Sequence, residues 1–332
     1  STAIGNHDSS NSNYSDHYNN PNTGLSTEGA TVAGTDYYYT YGNTLFIILD
    51  TNNYNCASHE AVMKKAVEEN PDAQWRVVMF HQDIYGAGDP HWDSDGMVLR
   101  TQLTPLMDKY DIDVVLQGHD HTYSRTYQLS SDGKEHTAYN KDNYRNDPEY
   151  QEQNNCYVIN SDVVGGTVID PAGTVYLETN SSTGSKFYEL EVGQQDFIAE
   201  KNQTWTPSYS VLSVDENSFT IATYDVTTGE LLGDSSIYTI VKSADKTDLN
   251  AAIAEAKKLV KDDYTAESWT AFETALKAAE AVAADEEATD SEVAQAVADL
   301  AKAKAELVLA EEPSTPSEKP DTSEKPDATE KP

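Results

Sequence analysis

An apolar run leads directly into a polar, histidine-containing motif in Ile112-Asp-Val-Val-Leu-Gln-Gly-His-Asp-His121. The apolar half of this stretch predicts a buried strand, and the polar half follows where that strand ends. Phe80-His81, after an apolar run that starts at Trp75, and Gly5-Asn-His-Asp8 are two further polar motifs of the same placement. Loops at the carboxyl ends of strands in an open α/β sheet converge on one crevice. We therefore expect the three motifs to meet in space.

Apolar runs and helix-like patterns alternate along this part of the chain. Ser58 is a candidate cap for a helix that runs to Asn70, and Thr104 followed by Pro105 predicts the start of a helix that runs to Tyr110. The alternation predicts an α/β fold in which helices pack on a sheet. The predicted strands are residues 44–49, 75–80, 112–117, 174–178, 209–214 and 218–224, and the last two have the alternating character of an antiparallel pair.

A sharp change of composition near residue 245 predicts a domain boundary. From there apolar residues recur at the helical period along three faces, which predicts an all-α three-helix bundle over residues 245–311. Thr265 is a candidate cap for the second helix, and Thr289 with Glu292 predicts a capping box for the third. Residues 312–332 repeat Glu-Lys-Pro and predict a disordered, extended linker. The three faces are Leu249, Ile253, Ala256 and Val260; Trp269, Phe272, Leu276 and Ala279; and Val293, Val297, Leu300 and Leu307.

The charge of the chain limits its partners. Its 332 residues include 22 Lys and Arg against 57 Asp and Glu, a formal net charge of −35. Such an excess repels phosphate backbones and anionic lipids, so binding of nucleic acid or a membrane surface is not expected as the main function. No apolar run approaches the length of a membrane span. Cys56 and Cys156 are compatible with two buried thiols or with one disulfide bond.

The chemistry of the three motifs indicates a metal centre. Imidazole nitrogens and an amide oxygen suit Fe, Zn or Mn, and a His-x-His turn places two imidazoles near one centre. Gly5 and Gly118 are expected to allow tight turns before the ligands. Two such ions would neutralise a phosphate group and activate water, so an acidic protein could still bind a phosphoester.

These motifs resemble those of the calcineurin-like metallophosphoesterases, and within that family they look most like the purple acid phosphatase branch. The resemblance extends from about Ser1 to Lys242. It rests on a GNH[DE] motif, an isolated His after an apolar strand and a GHxH motif, in the family's order. Gly118-His-Asp-His-Thr-Tyr-Ser-Arg125 is especially similar to the phosphatase branch. The resemblance implies a partial metallophosphoesterase β-sandwich flanked by helices over residues 1–244.

The resemblance also implies a set of metal ligands. Asn6, His81 and His119 would bind one metal ion, and His121 would bind the other. The cofactors implied are two divalent or trivalent ions, Fe, Zn or Mn.

Two further histidines receive catalytic roles through the same resemblance. His7 would not bind metal but would donate a proton to the leaving alkoxide, and His91 matches a position that often contacts substrate in the phosphatase branch. For Asp8, orientation of His7 and capping of the following loop remain equally open.

The other histidines stand in no motif. His17, His59 and His136 are therefore predicted to be surface residues.

The sequence departs from the family at its start. The D-x-[GH] and GDxx[DYN] motifs, which supply a metal-binding aspartate and the bridging aspartate, do not precede Ser1. We therefore expect the 1–244 segment to be an N-terminally incomplete domain, the chain to be the C-terminal part of a longer protein, and the chain alone to bind metal weakly and be inactive.

The helical segment resembles the FIVAR modules of Gram-positive surface proteins. The resemblance rests on Leu249, Asp263-Tyr264, Ala275-Leu276 and the Ala-rich third helix. It implies a secreted or cell-wall-attached protein, with cell-wall or glycan contact through this module as a further prediction.

Three functions follow as hypotheses. The first is an acid phosphatase-like phosphomonoesterase that acts on a small phosphoester in the full-length protein. The second is a surface display or adhesion protein in which the phosphoesterase domain is degenerate. A third, a nucleotide or phosphodiester hydrolase, would use the same site with different pocket walls.

Overall fold

The structure is a computed structural model that describes residues 1–310 except residues 26, 90, 92–93, 145–146, 194 and 234–235. The chain divides into two compact units, one of residues 1–244 and one that begins at residue 245. The predicted linker of residues 312–332 lies outside the described residues. Among the described helices, none has the length and apolar character that crossing a bilayer requires.

The described residues of the first unit form a mixed α/β structure with three sheets, and the predicted fold class is confirmed. Its strands are β1 Tyr37–Tyr41, β2 Thr44–Ile48, β3 Trp75–Met79, β4 Val114–Gln117, β5 Tyr123–Thr126, β6 Leu129–Ser131, β7 Tyr157–Ile159, β8 Gly166–Ile169, β9 Val175–Thr179, β10 Ile198–Asn202, β11 Ser208–Val214, β12 Ser218–Asp225 and β13 Ile237–Val241. Its helices are α1 Asn13–His17, α2 Cys56–Glu69, α3 Asp95–Lys109, α4 Lys141–Tyr144 and α5 Pro148–Gln153.

The largest sheet has seven strands in the order β1-β2-β3-β4-β9-β5-β10. Strands β2, β3, β4 and β9 run parallel, so their carboxyl ends lie at one edge of the sheet. A second sheet has the order β11-β12-β13-β8, and β6 pairs with β7 in a small third sheet. The antiparallel pairing predicted for residues 209–214 and 218–224 is confirmed by β11 and β12.

Apolar side chains cover both faces of the central strands. On one face, Val78 and Val115 join a buried cluster with Met63 of α2 and Leu103 of α3. On the other face, Trp75, Val77 and Val114 pack against the second sheet. Strands buried on both faces read as continuous apolar runs, which is why the sequence identified them.

Two predicted helix starts are wrong. Helix α2 begins at Cys56 and not after a cap at Ser58. Helix α3 begins at Asp95 and contains Pro105 in its interior, although proline cannot donate the bond of a helix interior. The helix continues through this position because Leu103, Thr104 and Met107 are buried against the core.

The second unit consists of α6 Thr247–Ala256, a 3₁₀ turn at Lys261–Asp263, α7 Ala266–Ala284 and α8 Asp290–Ala305. The three predicted helices are confirmed, and the capping box of Thr289 and Glu292 is present at the start of α8. Val260 and Leu307 lie beyond the helix ends, so they do not extend the predicted faces. Buried residues of this unit include Leu249, Ile253, Phe272, Ala279, Val293 and Leu300.

The two cysteines are free and buried. Burial raises the pKa of both thiols to about 12. The structure therefore supports two buried, protonated thiols over a disulfide bond.

Candidate metal centre

Three polar atoms from distant parts of the chain meet at the carboxyl ends of β3 and β4. His81 Nε2 lies 3.0 Å from Asn6 Oδ1 and 3.1 Å from His119 Nδ1. Ligand atoms that share one ion at about 2.1 Å and subtend a right angle lie about 3.0 Å apart. The donor set and its spacing therefore fit one metal ion, in agreement with the predicted convergence.

Two of the imidazoles are oriented through their other nitrogen. His119 Nε2 lies 3.2 Å from Asp95 Oδ2, and His121 Nδ1 lies 3.0 Å from the backbone oxygen of Lys186. An N–H that donates at these positions leaves the opposite ring nitrogen as a neutral acceptor. Metal-binding histidines are commonly fixed in this way by a carboxylate or a backbone carbonyl.

The turn after β4 is strained at its histidines. His119 has a φ of 82° and His121 a φ of 52°, which lie in the left-handed region that non-glycine residues rarely adopt. Each such residue costs about 1–3 kcal/mol and persists where the surrounding structure fixes it. The expectation that Gly118 makes the tight turn is therefore wrong, because the left-handed positions fall on the two histidines.

The electrostatics of the cluster favour neutral imidazoles. Burial and, after it, the charges of the neighbouring His119, His121, His7 and His91 together lower the pKa of His81 to about 3. A histidine must be neutral to bind a metal ion. At neutral pH, His81 is in the form that a metal ligand requires.

His91 lies beside the cluster. Its ring centroid is 4.2 Å from that of His119 and 5.0 Å from that of Tyr188, and its Nδ1 lies 3.0 Å from Asp120 Oδ1. Tyr188 also contacts His121, at 5.2 Å between ring centroids. The structure thus brings His91 and His121 into the same region as the three converging donors.

The first motif places its two remaining residues differently. The side chain of His7 is exposed, close enough to contribute to the low pKa of His81. Asp8 Oδ2 accepts a hydrogen bond from Gly5 N at 3.1 Å, and a Cβ on Gly5 would meet this oxygen at 3.0 Å. This geometry supports loop capping by Asp8 and explains the glycine at position 5. The ligand and catalytic roles themselves stay predictions.

Several side chains around the cluster belong to none of the three sequence motifs. Asp95 begins α3, and Lys186 and Tyr188 lie in the loop that follows β9, with Lys186 Nζ 4.4 Å from the centre of the Tyr188 ring. The position of β9 beside β4 could have indicated that its loop reaches the same edge. No local signal identified Asp95, since the start of α3 was predicted ten residues too late.

Two histidines that were predicted to lie on the surface have buried side chains. His59 is fully buried, with Nδ1 2.7 Å from Asp36 Oδ2 and Nε2 2.8 Å from the Asn53 oxygen. The side chain of His136 is 3% exposed and contacts Asp132. Carboxylate partners make burial of both imidazoles tolerable, and such partners are not visible in a local sequence window. The exposed side chain of His17 agrees with its prediction.

Comparison with known families assigns both parts of the chain. Residues 2–123 match the calcineurin-like phosphoesterase family, and residues 245–308 match the FIVAR domain. The chain carries a calcineurin-like phosphoesterase domain followed by a FIVAR domain, and the resemblances drawn from the motifs are confirmed.

The chain is similar to three known proteins. Purple acid phosphatase 1 of Ipomoea batatas is 23% identical over 125 residues, which are 36% of this chain and 25% of that protein. The polysaccharide lyase 8 family protein HylA of Enterococcus faecalis is 31% identical over 175 residues, which are 49% of this chain and 12% of that protein. The solved purple acid phosphatase PPD1 of yellow lupin, Lupinus luteus, has 16% identity and a TM-score of 0.43, covering 62% of this chain and 32% of that one. The chain therefore spans a quarter or less of the length of the two curated relatives.

Proposed function

We propose that residues 1–244 form the part of a metal-dependent phosphoester hydrolase that holds most of its histidine ligands. Asn6, His81 and His119 would bind one ion, and His121 would bind the second through its Nε2. The observation that carries this proposal is the convergence of Asn6 Oδ1, His81 Nε2 and His119 Nδ1, with spacings of 3.0 and 3.1 Å. Membership of the calcineurin-like phosphoesterase family supports the same reaction class.

Fe, Zn or Mn bound at these residues would supply Lewis-acid polarisation of the phosphate and a nucleophile at neutral pH. The oxygen and nitrogen donors of the cluster suit these ions. Because the chain carries a formal charge of −35, local positive charge is needed for an anionic substrate to approach. Lys186, exposed beside Tyr188, adds a fixed cation next to the cluster.

The remaining histidines would handle the substrate. His7 is exposed beside the ligand cluster, where its imidazole could donate a proton to the leaving alkoxide. His91, held by Asp120 and packed against His119, would contact the phosphate group. We propose a phosphomonoesterase of the acid phosphatase type, in which His7 drives departure of the leaving group.

We assign this activity to the protein as a whole, since the chain covers a quarter or less of the length of the two curated relatives. The FIVAR domain supports a secreted or wall-attached location, with glycan contact through residues 245–308 as a further part of the proposal. Residues 312–332 would then act as a spacer.

Hydrolysis of p-nitrophenyl phosphate by the full-length protein, with Fe, Zn or Mn added, tests the proposal. His119→Ala and His121→Ala should abolish both metal binding and hydrolysis, while His17→Ala, at an exposed histidine of α1, should leave both unchanged. His7→Ala should lower kcat for a substrate with a poor leaving group more than for p-nitrophenyl phosphate, because the latter needs little protonation. Retained hydrolysis in His119→Ala would refute the assignment.

A further inference from the structure

A second polar cluster lies behind the histidine turn. Asp120 stands between His119 and His121, and its carboxylate is directed inward, where it meets those of Asp83 and Glu178. The three side chains are 0%, 0% and 1% exposed. One carboxylate oxygen from each lies within 4.8 Å of the others.

The topology of the sheet brings these three residues together. Asp83 follows the end of β3, Asp120 follows the end of β4, and Glu178 lies in β9, and these three strands are parallel neighbours. The acidic cluster therefore occupies the same edge as the histidine cluster, one layer deeper. None of the three residues belongs to the ligand set proposed for hydrolysis.

Partners satisfy part of this cluster. Glu178 accepts from Thr122 Oγ1 at 3.1 Å, and Asp120 accepts from Gly88 N at 3.1 Å and contacts His91. Both carboxylate oxygens of Asp83 are buried and lack a hydrogen-bond partner among the described residues. An unpaired buried carboxylate is costly unless a cation compensates it.

The packing around Asp83 and Asp120 is close. A Cβ on Gly86 would meet Asp83 Oδ2 at 1.6 Å, and a Cβ on Gly88 would meet the Asp120 Cβ at 2.6 Å. Gly86 and Gly88 therefore lie closer to the two acids than a residue with a side chain could at either position.

The donor atoms of this cluster differ from those of the histidine cluster. Three carboxylates offer oxygen donors of the kind that hard cations prefer, and Ca²⁺ binds such oxygens at about 2.3–2.6 Å. Oxygens that share one ion at about 2.4 Å are at most about 4.8 Å apart. We propose that Asp83, Asp120 and Glu178 bind a hard divalent cation of the Ca²⁺ type, at a site separate from the hydrolytic metal centre.

Such an ion would have a structural consequence. It would link the ends of β3, β4 and β9 and fix the strained turn that carries His119 and His121. The proposal does not depend on hydrolysis, since it concerns the stability of the first unit.

The test measures how much Ca²⁺ raises the Tm of the chelator-treated chain. The same measurement is made on the double variant His81→Ala/His119→Ala, which lacks the histidine cluster. Saturating Ca²⁺ should raise Tm by about 5 °C or more in the wild type and in the double variant. Asp83→Asn and Glu178→Gln should each lose the rise. Asp16→Asn, at an exposed acid of α1, is the matched control and should keep it.

Two results would overturn the proposal. One is a wild-type Tm that does not respond to Ca²⁺, which would show that the carboxyl groups only share protons. The other is an equal rise in Asp83→Asn, which would show binding to surface acids. If both cluster variants fail to fold, Tb³⁺ luminescence of the His81→Ala/His119→Ala variant decides, because one tight site per chain is expected and its absence contradicts the proposal.

Discussion

Burial acts on both His59 and His81, yet their surroundings shift the two pKa values in opposite directions. His59 lies between the Asp36 carboxylate and a backbone oxygen. Burial alone would lower its pKa, but the hydrogen bond and charge of Asp36 outweigh burial and raise it. His81 faces other histidines and an amide oxygen, and burial and, after it, the charges of those histidines together lower its pKa to about 3.

The difference separates a structural histidine from a ligand-type histidine. His59 has both ring nitrogens engaged by the protein, so it is complete as it stands. The Nε2 of His81 instead points at two other acceptor-type atoms, Asn6 Oδ1 and His119 Nδ1, an arrangement that an ion would complete. A carboxylate partner stabilises the fold in the first case, and a set of neutral donors prepares a binding site in the second.

The largest expected effect is the difference in stability between variants of His59 and His81. His59→Ala leaves Asp36 buried without its imidazole partner, so it should lower the free energy of unfolding by about 3–5 kcal/mol. His81→Ala removes only contacts between neutral groups and should cost about 1 kcal/mol in metal-free protein. Urea denaturation measures both changes, with His17→Ala as the surface control. Equal losses of unfolding free energy in the two variants would contradict the distinction between a structural and a ligand-type histidine.

The next largest effect is the difference in Zn²⁺ affinity between variants of Asp95 and Asp36, which contact His119 and His59. Asp95→Asn weakens the acceptor that orients His119, so Zn²⁺ affinity should fall about 10- to 100-fold. Asp36→Asn alters only the structural pair and should leave the affinity unchanged while lowering stability. Isothermal titration with Zn²⁺ measures the affinities. A loss of affinity in Asp36→Asn similar to that in Asp95→Asn would contradict the assignment of Asp95.

The smallest effect is the slope of stability against pH in metal-free protein. His81 has a folded pKa of about 3 against an ordinary 6.5, so the unfolded chain binds the extra proton between these values and stability falls as pH drops through them. His59 has a raised folded pKa, so its contribution is complete below about 6.5 and is lost as pH rises through the folded value.

Each group changes the slope by at most about 1.4 kcal/mol per pH unit. Urea denaturation at several pH values measures it. His81→Ala should flatten the acid side, and His59→Ala should flatten the side above pH 6.5. A slope that neither variant alters would show that these histidines do not control the pH response.

Much of the fold was predictable because its strands are buried on both faces. Residues 44–49, 75–80 and 112–117 read as apolar runs, and their alternation with helix-like patterns predicted a sheet packed by helices. The start of α3 was not predictable in this way, because a helix that contains Pro105 is held by packing of residues distant in sequence. The capping box at Thr289 was predictable because both partners lie within one turn.

The residues of the candidate site that belong to sequence motifs were predictable, and those that only the fold brings to the site were not. His81 and His119 were identified because each follows a strand. The strand predicted before Asn6 is wrong, since residues 1–5 form no strand, but Asn6 and His119 still lie within hydrogen-bonding distance of His81. Asp95 and Tyr188 reach the site from a helix start and a loop that carry no motif. The burial of His59 depends on Asp36, 23 residues earlier, and no local pattern signals that pairing.

The most direct test of the metal centre is an anomalous difference map at the zinc edge from crystals of the chain grown with Zn²⁺. We expect a peak at about 2.0–2.2 Å from His81 Nε2, His119 Nδ1 and Asn6 Oδ1. A map with zinc bound elsewhere, or with no peak among these three atoms at saturating Zn²⁺, would contradict it.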